Sequence, residues 1–180
     1  MNKPENIIDF ELVKEIESKA IELRGQIIHL FILIEAIMDN LIRKTTFESE
    51  VKYDWVTKTL RKEKLTMDIK LVMFKKCIDE FESKYKLDLS FLKSNINTIV
   101  EKRDCLAHCP LDTTKEGIQN FKINKAITFI KLKKNIREKE KDVLFTPESI
   151  KKLKENIKQA AKDAFKMQNT FHENEEENKN

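Results

Sequence analysis

Two glycines serve all 180 residues, Gly25 and Gly117, and they stand 92 positions apart. A dinucleotide-binding loop, a phosphate loop or a nucleophile elbow each needs clustered glycines, because the backbone must turn tightly or approach a phosphate closely. Two isolated glycines build none of these. With only three prolines besides, the chain is also short of the turn residues that a sandwich or propeller of many short strands requires. A chain so poor in breakers is predicted to be mainly helical.

The hydrophobic pattern agrees. Leu12, Ile16, Ala20 and Leu23 repeat at steps of four, four and three, which is a helix stripe over residues 9–24. Residues 26–44 carry a stronger seam, Ile27, Phe31, Ile34, Met38 and Leu41, with apolar neighbours on several sides. This second stretch is expected to be central. Gly25 between the two is either a kink or a tolerated helical glycine. Tyr53, Trp55, Val56 and Leu60 are expected to cap one end of the bundle. A helix over 66–84 and another over 89–108 follow, the latter with Asp88 as its N-cap and Pro110 as its stop.

From Ile118 to Phe145 the pattern changes. Residues 126–132 (AITFIKL) and 142–145 are β-rich and flank a charged stretch, which predicts a small hairpin. Thr146 and Pro147 then open a last helix as cap and first helical residue. The fold class predicted is all-α in the main: an up-and-down bundle of four to five helices with a small β-hairpin insertion before the last helix. One helical domain over 1–172, with a basic insertion at about 115–146, is expected to precede a disordered acidic tail at 173–180.

Charge and cysteine content bound the setting. Charged residues are 37% of the chain and the net charge is +4, so distribution matters more than the sum. Residues 115–141 hold nine basic and three acidic side chains, and residues 58–76 hold seven and two. Such patches attract phosphate backbones without reading sequence. Alone, they read first as the solvated face of a lysine-rich protein. Lys122, Lys125, Lys131, Lys133 and Lys134 are the candidate RNA-binding residues, and Phe121 and Phe129 are expected in local core rather than stacked on bases. Cys77, Cys105 and Cys109 form an odd, sparse set suited to a reducing compartment. The opening residues lack an apolar signal core, and the apolar block 27–38 is too short to span a bilayer. The expected location is cytoplasmic, away from membranes.

One helix breaks its own pattern. Along residues 89–108 the seam runs Leu92, Ile96, Ile99, Arg103, Leu106. Arg103 occupies a position meant for an aliphatic side chain. A guanidinium cannot shed its charge, so its removal from water costs several kcal/mol unless it is paired. Glu35, set in the apolar string FILIEAIMDN, needs a partner for the same reason. Arg103 is the natural choice, as a salt bridge holding two helices in register. Asp104 and His108, four apart, share one face beside Arg103. Cys105, His108 and Cys109 lack a paired CxxC and make a poor zinc site, and no metal or cofactor is expected. His29 is read as a core or interface histidine.

The string EKRDCLAHCP, residues 101–110, resembles the motif of the HEPN superfamily, in which Arg, a polar residue and His lie near the end of a late bundle helix. Asp104 and the small Ala107 fit, while Cys109 and Pro110 stand where many relatives have a small residue such as glycine. The resemblance covers the bundle and not the insertion. It implies a metal-independent endoribonuclease with Arg103, His108 and Asp104 as catalytic residues and Glu35 in support. It also implies RNA as substrate, a homodimer with a shared cleft, an antitoxin or other regulatory protein as a further partner, and a place in toxin–antitoxin or phage-defence systems. The alternative is a non-catalytic module of the same fold that binds RNA, nucleotide or a partner protein. A third reading is a plain helical scaffold.

Overall fold

The computed structural model describes residues 10–46, 66–132 and 139–177. These form α1 (Phe10–Thr46), α2 (Met67–Tyr85), α3 (Ser90–His108), α4 (Lys115–Asn124), β1 (Ile127–Leu132), β2 (Lys139–Phe145) and α5 (Pro147–Glu177). The class is all-α with a hairpin ahead of the last helix, as the pattern predicts. The bundle cap expected from Tyr53, Trp55, Val56 and Leu60 lies outside the described residues.

The two stripes expected at the N-terminus belong to one helix of 37 residues. Ile16, Ala20, Leu23, Ile27, Phe31, Ile34, Met38 and Leu41 are all buried, and their spacing crosses Gly25 without a phase break. Gly25 sits on the opposite, exposed face. A glycine there costs only about 1 kcal/mol of helix propensity, which continuous burial on the other face outweighs. The uninterrupted helix contains an 18-residue window of mean hydropathy 1.5, long and apolar enough by composition to cross a membrane. This exceeds the 12-residue block read from the sequence.

α2 and α4 end without glycine. Lys86 and Lys125 adopt the left-handed conformation after α2 and α4, with φ of 56° and 52°. That position is usually glycine. A lysine there carries the Cβ strain, but it also sets a positive charge by the negative end of the helix dipole. At the start of α3, Asp88 accepts hydrogen bonds from the Ser90 amide and hydroxyl, at 3.1 and 2.7 Å. At the start of α5, the Thr146 hydroxyl accepts from Ser149 N at 3.1 Å. The structure carries α5 through Glu177, so the helix continues into the stretch expected to be disordered from residue 173. Once a helix is nucleated, each added residue gains a backbone bond, and glutamate is a good helix former.

α4 was not expected. Thr114 is its extended N-cap residue, and the helix presents Gly117 and Phe121 to the interior. β1 and β2 pair antiparallel from Ile127↔Phe145 to Leu132↔Lys139, with a register shift beyond Lys131. On the other side of β1, Leu111 forms a bridge with Phe129.

The chain makes two compact units. One comprises residues 1–28 and 101–154, the other 29–100 and 155–180. In the first, the hairpin rings Phe129 and Phe145 meet edge to face at 5.6 Å. In the second, Lys70 of α2 reaches Glu35 and Asp39 of α1 at 3.2 and 2.9 Å, and Thr45 meets Cys77 at 2.9 Å. The two contacts advance together along both helices, so α1 and α2 run in the same direction. The short link after α2 turns the chain back, and Lys93 of α3 bonds Asp79 and Glu82 at 2.6 and 3.0 Å.

Candidate functional site

Arg103, Asp104 and His108 lie on the last two turns of α3, in the first unit. The seam that predicts trouble at Arg103 is real: Leu92, Ile96, Ile99 and Leu106 are all buried. Arg103 keeps 19% of its side chain exposed and donates from Nη1 to Asp104 Oδ1 at 2.8 Å. The neighbouring carboxylate thus meets part of the charge that the apolar seam cannot. His108 is exposed. An ideal helix places a residue five positions on about 7.5 Å along the axis and about 140° around it. Arg103 and His108 of one chain therefore leave the helix in different directions, with Asp104 on the side of His108.

The chain just after His108 is held by four hydrogen bonds at Cys109, Pro110 and Asp112. Cys109 N donates to Cys105 O at 2.8 Å, so α3 stays helical to its end. Cys109 O accepts from Arg24 Nη2 at 2.7 Å. Ile130 N donates to Pro110 O at 2.9 Å, and Asp112 N to Thr128 O at 2.8 Å. Pro110–Asp112 thereby form an edge against β1. Cys109 and Pro110 are the start of that edge.

Asp112 and Gly117 escaped the sequence reading. Asp112 is 1% exposed, and its Oδ1 accepts from Thr114 N at 2.9 Å, shaping the entry to α4. A Cβ added at Gly117 would overlap the Asp112 carbonyl oxygen and come within 2.8 Å of Cγ. Glycine is needed there for close approach, not for a special φ. The available signal was Thr114 as a cap ahead of Ile118 and Phe121, one helical turn apart.

Glu35 belongs to the second unit, where Lys70 donates to it. Lys70 was not among the expected partners. Burial alone would lower the Lys70 pKa, but the Asp39 and Glu35 carboxylates outweigh it and hold the ammonium above the ordinary lysine value.

The basic candidates divide. Lys122 and Lys125 are exposed. Lys125 and Lys19 each lie 5.2 Å from the Phe121 ring centre, and Lys19 is also bonded to Glu15 at 2.9 Å. Lys131 is tied to Glu101 at 3.3 Å. Lys133 and Lys134 lie outside the described residues. Phe121 and Phe129 are fully buried and belong to the core. His29 is exposed on α1, which removes the core role. Burial, and then the neighbouring Cys109 thiol, push Cys105 up to about 12, so it stays a neutral thiol. Among the described residues no three histidine, cysteine or acidic side chains gather as metal ligands do.

No protein-family model, curated protein or solved structure matches the chain.

Proposed function

We propose that the chain is a metal-independent endoribonuclease of the HEPN kind, with Arg103 and His108 as catalytic residues and Asp104 beside them. The observation that supports this most is the end of α3. It carries an exposed imidazole and a guanidinium with its own carboxylate partner, within two turns of one helix.

The chemistry follows from those groups. His108, whose imidazole can accept a proton at one ring nitrogen and donate from the other, takes the proton from the 2′-OH or returns one to the leaving oxygen. The 2′ oxygen bonds to phosphorus, the bond to the 5′ oxygen breaks, and the products are a 2′,3′-cyclic phosphate and a 5′-OH. Arg103 offers a planar fork to the phosphate oxygens as charge builds on them. Because the two side chains leave one helix in different directions, a two-fold pair of chains sharing one cleft completes the set. Lys122 and Lys125 draw the RNA in. The setting is the cytoplasm, and the resemblance supplies the context of toxin–antitoxin or phage defence with an antitoxin or regulatory protein as partner.

The Arg103–Asp104 bond also favours the alternative, a non-catalytic module that binds RNA, nucleotide or a partner protein, since it already neutralises the guanidinium. Cleavage of RNA in EDTA by wild type, His108→Ala and Arg103→Ala separates the two. Wild type is expected to cut and leave 2′,3′-cyclic ends, and each variant to lose about a hundredfold or more. RNA binding with no cutting selects the module. Equal cutting by all three proteins places the active site elsewhere.

A further inference from the structure

We infer that Arg24 is a positioning residue for His108, acting through the backbone of the next residue. The inference rests on His108 having the role proposed above. The last carbonyls of a helix have no partner within it. At the end of α3 the first carbonyl beyond His108, that of Cys109, receives Arg24 Nη2 at 2.7 Å, from 85 residues away in the chain. A charged donor at a helix C-terminus is favoured twice, by the hydrogen bond and by the dipole.

Arg24 is itself held. Its guanidinium carbon lies 4.9 Å from the centre of the Phe129 ring, and Phe129 is fully buried and bridged to Leu111. Arg24 Nε is buried with no hydrogen-bond partner among the described residues, so the grip rests on the carbonyl and the ring. One side chain of α1 thus joins the end of α3 to β1, the strand that carries the Pro110–Asp112 edge. The consequence falls on His108. The imidazole is exposed and gets no orientation from burial, so its direction depends on the backbone that carries it. The Arg24–Cys109 bond stops the last turn of α3 from fraying. Lysine would keep the charge and one donor but lose the planar stack on Phe129.

The test compares wild type, Arg24→Gln and Arg24→Lys. Thermal unfolding is followed beside amide hydrogen exchange at Cys109, Asp112 and Ile130, whose N–H groups bond Cys105, Thr128 and Pro110, and kcat and KM are measured for RNA cleavage. For Arg24→Gln, exchange at these three amides should quicken by about tenfold or more while the other protected amides hold. The kcat should fall by about tenfold or more with KM within about twofold, and Arg24→Lys should recover part of both. Unchanged exchange at the three amides overturns the inference. So does a kcat loss that only follows the folded fraction, or an equal loss in the lysine and glutamine variants. The exchange arm needs no catalysis. Wild type that cuts no RNA while wild-type and glutamine proteins differ at these amides would refute the ribonuclease reading and leave the clamp standing.

Discussion

Gly25 and Gly117 are the same residue in the same secondary structure, and they carry opposite predictions. Nothing lies within 4 Å of a Cβ placed at Gly25, so Gly25→Ala gains helix propensity and a smaller unfolded ensemble, about 0.5–1 kcal/mol of stability. The same change at Gly117 drives a methyl into the backbone of Asp112, and overpacking costs about 1–3 kcal/mol. Thermal unfolding of the two variants checks this: the midpoint rises for Gly25→Ala and falls for Gly117→Ala. Equal shifts would mean that α4 does not approach Asp112. At this scale the sequence was partly legible. Arg103 announced itself as a charge in an apolar seam, and His108 as the residue before a helix stop. Arg24 and Asp112 did not, because an arginine on a helix flank and an aspartate two residues after a proline are commonplace until the chain brings their partners to them.

At the scale of elements, the Lys70 bridge joins α1 to α2 and makes a pH-dependent contribution. The pKa of Lys70 is raised in the folded protein, so the native state holds its proton more tightly than the unfolded state does. The stabilisation is complete below the ordinary lysine value and is lost as pH rises through the raised folded value. Wild type should therefore lose more stability than Lys70→Met between neutral pH and a pH above the ordinary lysine value. Urea unfolding at both pH values measures it, and parallel losses would remove the bridge from the account. The elements themselves were largely legible. The stripes of α1, α2, α3 and α5, the hairpin and the Thr146-Pro147 start all arise from spacing and capping within a few residues. Gly25 was ambiguous because a single helical glycine costs less than the burial on the far face returns. α4 was hidden because ten residues with a glycine in the first turn give a weak local signal.

At the scale of the molecule, the proposed chemistry requires association. The protein should sediment at twice 21.3 kDa, and mixed Arg103→Ala and His108→Ala chains should regain cleavage that neither has alone. A fully active monomer would contradict the shared cleft. RNA affinity should fall with salt, and Lys122→Ala with Lys125→Ala should flatten the slope of log Kd against log salt by roughly 1.4, about 0.7 for each lost phosphate contact on single-stranded RNA. A slope that stays as steep would move the RNA path away from α4.

Where the helices begin, which faces they bury and where a hairpin interrupts them could be read from order alone. A helix or strand is built from hydrogen bonds and side-chain spacings that span a few residues. Which faces meet could not. Arg24 and the Cys109 carbonyl, Lys70 and Glu35, and Gly117 and Asp112 are pairs that no periodicity connects. Each was settled by the packing of whole elements, because a charge or a carbonyl takes whichever partner the fold delivers within about 3 Å.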